Sequence, residues 1–178
     1  DKVRQIEEYY AQCELEGANE HQVEESQKAV AKMEVIIGDP DRLRAVAEDF
    51  IKHYETRVAE GATVAGKAMF VCSNRNIAYD FYKIVKELRP KWTEKKICDD
   101  GVVLSEKDKK ELKPMEKIKL VMTRNKDDEK DLFDMLGTKE DRKEFDRQFK
   151  NPKSNFKIAI VVDMWLTGFD VPELDTIY

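Results

Sequence analysis

The chain has 178 residues, of which 41% are hydrophobic and 39% charged, and its formal net charge is −5. That length allows one α/β domain with its own core plus a helical segment, whereas the acidic balance excludes nucleic-acid binding by bulk electrostatics. The longest apolar runs have the length of a strand, so we expect no membrane span, and we expect no signal peptide. Cys13, Cys72 and Cys98 are widely spaced, which indicates reduced thiols in a cytoplasmic protein.

Residues 1–60 are predicted to be a helical segment used for linking or packing. Apolar residues recur at helical spacing in Asp1–Ile37, with an interruption at residues 17–19. Asp39 is placed to cap a further helix, in which Pro40 takes the first position, where its missing N–H is harmless. The predicted apolar face of that helix consists of Leu43, Val46, Ala47, Phe50, Ile51, Tyr54 and Val58.

Three apolar runs, at residues 67–72, 117–123 and 157–162, predict strands that are buried on both faces of a sheet. Helical patterns separate them, at residues 77–88, 127–136 and from Thr138 onward, where Thr138 and Asp141 have capping spacing. This alternation predicts a parallel sheet, so the strands' carboxyl ends should lie along one edge. The charged stretch at residues 92–114 is interpreted as an inserted connection.

Polar residues follow the first two predicted strands. Ser73, Asn74 and Arg75 come after the first, and helix N-terminal amides together with Arg75 are suited to hold a phosphate. An N-cap beside an ordinary surface arginine is the more frequent explanation of such a loop taken in isolation. Thr123 ends the second strand, where generic turn chemistry is the alternative to a binding role.

The stretch Phe156–Tyr178 combines the third strand with a loop rich in functional residue types. Its segment VVDMWLTGFDVP closely resembles motif V of helicase-type motor domains, and most closely the version in the R subunits of type I restriction enzymes. The resemblance extends to KAMFVCSNRNIAYDFYKIV and VMT upstream, and covers roughly residues 39–178. Those R subunits are ATP-dependent DNA translocases and nucleases.

This resemblance implies an α/β fold with a RecA-like parallel sheet flanked by helices, preceded by the helical segment. Residues 61–178 would be the second motor lobe, truncated before motif VI. The implied DNA-contact and coupling residues are Ser73, Asn74, Arg75, Thr123 and Thr167. The implied ATP-cleft residues are Gly168 and Asp170, and Asp163 is implied to organise the motif V loop.

The chain contains neither a Gly-x-x-x-x-Gly-Lys-[Ser/Thr] loop nor a strand that ends in a magnesium-holding acid pair. The resemblance therefore implies that ATP and Mg²⁺ are bound mainly by the first motor lobe of a longer protein. We expect no catalytic residue and no metal site in this chain, and no ATP hydrolysis by it alone. The implied partners are double-stranded DNA, the first motor lobe, and the methylation and specificity subunits of a restriction complex.

Two alternatives remain open from the sequence. One alternative, less favoured by the length of the motif V match, is the second lobe of another superfamily 2 DNA or RNA helicase. The chain would also suit a non-enzymatic α/β interaction module whose loops only resemble motor loops. Salt-dependent binding to DNA of random sequence would separate the motor readings from the interaction module.

Overall fold

A computed structural model of the chain describes Ala11, residues 20–162 and residues 173–178. The chain divides into two compact units, Asp1–Arg42 and Leu43–Tyr178. In the first unit, α1 (Glu20–Ile37) is an 18-residue helix. The second unit contains the sheet. The boundary near residue 60 between a helical segment and a motor lobe stays a prediction.

The helices that follow α1 connect or cover the strands. They are α2 (Pro40–Ala59), α3 (Arg75–Leu88), a 3₁₀ helix (Pro90–Thr93), α4 (Glu106–Glu111), α5 (Lys130–Leu136) and α6 (Lys139–Lys150). Asp39 accepts a 3.0 Å hydrogen bond from the Arg42 amide, so the predicted cap is confirmed. Thr138 and Asp141 form the predicted capping box at the start of α6. Gly137, at φ 66°, ends α5 in a backbone conformation that favours glycine.

The described strands form one parallel sheet in the order β2-β3-β1-β4. Their bounds are β1 (Lys67–Cys72), β2 (Ile118–Val121), β3 (Ile158–Val162) and β4 (Leu174–Ile177). Ile158 is level with Ala68 of β1 on one side and with Ile118 of β2 on the other. The predicted α/β fold, a RecA-like parallel sheet flanked by helices, is therefore confirmed.

Aromatic rings cover the face of the sheet that Phe70 occupies. The Phe70 ring stacks on Phe81 of α3 with centroids 3.9 Å apart, and it meets Phe50 of α2 edge-on at 5.1 Å. Phe50 also contacts the Tyr178 ring, which follows β4. The second half of α2 is thus part of the domain core.

Side chains alternate between faces along a strand, so Met69 lies on the face opposite to Phe70. This opposite face packs against α6. Phe149 of α6 is fully buried with Met69, Val121 and Val161, and Phe145 packs partly against this cluster. Phe145 and Phe149, four residues apart on α6, therefore both face the sheet. On β1, the buried Cys72 has a pKa raised to about 12 by desolvation, which keeps its thiol protonated.

Some details of the sequence prediction were wrong. Val46 and Val58 are 38% and 40% exposed, so the apolar face of α2 is narrower than predicted. The helix predicted from residue 77 begins two residues earlier, at Arg75, and the one predicted from residue 127 begins at Lys130. The stretch 92–114 is anchored by the buried Trp92 and Leu112, and an antiparallel bridge joins Lys96 to Met115. No helix among the described residues is long and apolar enough to cross a membrane.

Candidate functional site at the carboxyl edge of the sheet

The loops that follow β1 and β2 meet at the carboxyl edge of the sheet, because both strands are parallel to β3. Ser73 is exposed immediately after β1. Asn74 caps α3, and its side-chain oxygen accepts a 2.9 Å hydrogen bond from the Ile77 amide. That amide is therefore already occupied, which leaves one fewer donor for a phosphate at this helix end.

Arg75 and Thr123 are brought together, as the parallel arrangement predicts. The Arg75 guanidinium donates a hydrogen bond to the carbonyl oxygen of Thr123. This contact crosses from the first turn of α3 to the loop after β2, a separation of 48 residues along the chain. Thr123 is exposed at its side chain, and the preceding Met122 is buried.

Asp128 is a residue of this edge that sequence reasoning missed. Both of its carboxylate oxygens accept hydrogen bonds of 2.7 Å from one terminal nitrogen of the Arg75 guanidinium, which forms an ion pair with them. One oxygen also accepts a 2.6 Å bond from the Asn125 amide. The spacing of Asn125 and Asp128 is a local turn signal, but the sequence contains no signal for the distant partner Arg75.

Arg124 lies in the same loop as an exposed cation. Its guanidinium carbon is 4.3 Å from the centre of the Phe133 ring of α5, which is a cation–π contact. The edge therefore carries the exposed residues Ser73, Thr123 and Arg124, beside an ion pair whose Asp128 side chain is 8% exposed.

Four of the predicted site residues, Asp163, Thr167, Gly168 and Asp170, lie outside the described residues. Their assignment to the motif V loop, to coupling and to the ATP cleft stays a prediction. The last described residue before them, Val162, ends β3 beside Cys72 of β1. The chain therefore enters that segment from the same edge that carries Ser73 and Thr123.

The amino edge of the sheet has a different character. Lys67, Lys117 and Lys157 stand at equivalent positions, each just before or at the start of a strand. Lys67 is 1% exposed, and its ammonium group donates a 2.5 Å hydrogen bond to the Phe156 carbonyl. Lys157 donates to the Pro152 carbonyl at 2.7 Å and lies 3.5 Å from the Asp99 carboxylate.

Burial lowers the pKa of Lys67 to about 7, and the neighbouring Lys157 cation lowers it further in the same direction. Burial likewise lowers the pKa of Lys157. Asp175 of β4 accepts hydrogen bonds from the backbone amides of Val64, Ala65 and Lys67 at 2.6, 3.3 and 2.9 Å. These groups fasten the amino edge internally.

A cavity of about 730 Å³ runs beside the edge strand β2, between α3 and the α5–α6 segment. Its lining mixes lysines such as Lys83 and Lys113 with acids such as Glu116 and Asp134, so it has no dominant sign of charge. Among the described residues, no group of three or more His, Cys, Asp or Glu side chains is arranged to hold a metal ion.

Comparisons with known proteins agree with the resemblance seen in the sequence. Residues 64–178 match the family model described as "Type I restriction enzyme subunit R domain 3". The chain is 33% identical over 155 residues to the type I restriction enzyme HindI endonuclease subunit of Haemophilus influenzae, a match that covers 87% of this chain. It is 36% identical over 163 residues, or 90% of this chain, to the putative type I restriction enzyme MjaIXP endonuclease subunit of Methanocaldococcus jannaschii.

Each match spans only 13% of the relative's length. No solved structure matches the chain.

Proposed function

The chain belongs to the type I restriction enzyme subunit R domain 3 family, and from that premise we propose that it is the second lobe of an ATP-dependent DNA translocase motor. The observation that supports this most directly is the meeting of the β1 and β2 loops at the carboxyl edge, where Arg75 contacts Thr123. Ligands of open α/β sheets bind at this edge. Another superfamily 2 helicase lobe is the less favoured reading, because the family match covers residues 64–178.

In this proposal the loops carrying Ser73, Asn74, Arg75 and Thr123 line the DNA backbone. Contacts of hydroxyl and amide groups with phosphates carry no sequence information, which suits a motor that moves along any sequence. Thr167 would couple this surface to the nucleotide. Recognition of a DNA site would belong to the specificity subunit of the restriction complex, alongside the methylation subunit.

ATP and Mg²⁺ would be held mainly by the first lobe of the longer protein, and Gly168 and Asp170 would complete the cleft from this lobe. ATP bound between two lobes favours their closed arrangement by differential affinity. Closure would change the separation between this DNA-facing edge and its counterpart on the first lobe. The 178-residue chain alone is expected to hydrolyse no ATP, which an assay of DNA-stimulated turnover checks.

The DNA-binding part is tested with duplex DNA of random sequence, by measuring the dissociation constant at several salt concentrations. We expect weak binding whose affinity falls with salt, and a further loss when Ser73→Ala and Thr123→Ala are combined. Thr56→Ala, at an exposed position of α2, is the control and should leave binding unchanged. Binding that is absent, or that ignores both salt and the double substitution, would favour an α/β interaction module instead.

A further inference from the structure

The Arg75 guanidinium is engaged by groups of its own chain. One terminal nitrogen donates to the Thr123 carbonyl, and the other donates to both oxygens of Asp128 at 2.7 Å. Hydrogen bonds between ionised groups are roughly twice as strong as neutral ones, so this nitrogen is held firmly between the two carboxylate oxygens. The arginine side chain is 28% exposed, whereas the Asp128 side chain is only 8% exposed.

Asp128 has a second attachment that fixes its position. Its carboxylate accepts the Asn125 amide at 2.6 Å, and its own amide donates to the Asn125 carbonyl at 3.2 Å. The loop after β2 is therefore closed on itself by Asp128 and tied to α3 by Arg75. Arg75 occupies the first turn of α3, where a cation opposes the helix dipole, and the Asp128 carboxylate compensates for it.

This arrangement decides what Arg75 can offer to DNA. A cation that is already paired with a nearly buried carboxylate adds little net charge for a phosphate, and it releases few counterions on binding. Breaking the pair would leave the Asp128 charge desolvated and unpaired, which is strongly unfavourable. A phosphate is therefore a poor competitor for this guanidinium.

We propose that Arg75 is a structural tie between two loops of its own chain and not a phosphate ligand. Asp128 is then a positioning residue, because it holds the β1–α3 and β2–α5 loops as one rigid surface. The DNA-binding consequence rests on the proposed function. The contact of Arg75 with Asp128 and Thr123 does not depend on that function, because it exists in the chain without DNA. Phosphate contacts then fall to the exposed groups that the tie positions, among them the Ser73 and Thr123 hydroxyls.

The chain provides a matched control at the other end of α3. Arg89 and Glu55 form a second arginine–carboxylate pair, in which two guanidinium nitrogens donate to different carboxylate oxygens at 2.7 and 2.8 Å. Both side chains of that pair are about two-fifths exposed, and Arg89 caps the C-terminal end of α3, whereas Arg75 lies in its first turn. Glu55→Gln thus removes a similar ion pair without touching the loops after β1 and β2.

The first measurement is the salt dependence of duplex DNA binding by the full chain. Asp128→Asn and Arg75→Gln should each weaken binding, by roughly tenfold, with the slope of log affinity against log salt unchanged. Glu55→Gln should change neither quantity. A slope that falls by about one unit in Arg75→Gln, or tighter binding by Asp128→Asn, would show that Arg75 contacts phosphate directly and would overturn the proposal.

The second measurement needs no DNA. In Arg75→Gln, hydrogen exchange of the Asn125 amide should accelerate by about tenfold or more, since the loop loses its anchor. Glu55→Gln, which leaves the acceptor of this amide in place, should not change its exchange. Unchanged exchange in Arg75→Gln would refute the tie. If the wild-type chain binds no DNA, the proposed function fails, and this exchange result alone decides whether the tie exists.

Discussion

The two edges of the sheet handle charge in opposite ways. At the amino edge, Lys67 and Lys157 are buried, and their ammonium groups donate hydrogen bonds to backbone carbonyls of their own domain. At the carboxyl edge, the Arg75 charge is balanced by Asp128, and Ser73 and Thr123 remain exposed. The charged groups of the amino edge are therefore buried in contacts within the domain. At the carboxyl edge an ion pair fixes the loops, and neighbouring residues stay exposed to solvent. A cation in a sequence motif indicates a ligand site only if its partners leave it available.

The largest expected effect concerns the strand that both edges share. Ile160 of β3 is fully buried, so Ile160→Asp places a carboxylate in the core without a partner. We expect the free energy of unfolding to fall by more than about 4 kcal/mol, which would leave the chain unfolded. Circular dichroism and denaturant titration measure this. Val103→Asp, at a position that is 88% exposed, is the control and should fold normally.

A pH experiment tests whether the buried, protonated side chain of Lys67 lowers the free energy of unfolding. The pKa of Lys67 is about 7 in the folded chain and 10.5 in its ordinary environment, so between these values the unfolded chain binds a proton that the folded chain lacks. Stability should therefore rise with pH across this window. Lys67→Met removes this contribution, and denaturant titrations at about pH 7 and pH 9 should show a smaller rise than in the wild type. Some rise should persist, because the pKa of Lys157 is also lowered. An equal rise in both proteins would contradict the assignment.

Asp175→Ala is expected to loosen the amino edge. The variant leaves the amides of Val64, Ala65 and Lys67 without their carboxylate acceptor. These hydrogen bonds connect β4 to the first residue of β1 and to the loop before it. The free energy of unfolding should fall by about 2 kcal/mol. DNA binding per molecule of folded chain should not change. Reduced DNA affinity in the folded variant would mean that the two edges are coupled.

The smallest effect is expected for Glu55→Gln. The hydrogen bond from Arg89 lowers the pKa of Glu55, so the pair stabilises the fold above the ordinary glutamate pKa and loses this contribution as the pH falls. Solvent screens the exposed pair, and the loss should be under about 1 kcal/mol at neutral pH. A melting-temperature scan suffices. A loss well above this value would contradict the assignment of the pair as a solvent-screened surface contact.

The sequence predicts the strands and several caps because these depend on local patterns. The runs of Val and Ile in β3 and the Thr138–Asp141 spacing carry their own signals. The Arg75–Asp128 pair joins residues 53 positions apart, and no local pattern names that partner. The predicted buried strand at residues 67–72 includes Lys67, but no local pattern indicates that its ammonium group bonds to a carbonyl 89 residues away. Periodicity also overestimated the buried face of α2 at Val46 and Val58.

The strand order has a consequence for how the protein is made. Ala68 of β1 pairs with Ile158 of β3, which lies 90 residues later in the chain. At ribosomal rates of about 5–20 residues per second, β1 emerges roughly 5–18 seconds before its central neighbour exists. During that interval Met69 and Phe70 lack their strand partner. The nascent chain therefore exposes an apolar segment that molecular chaperones are suited to shield.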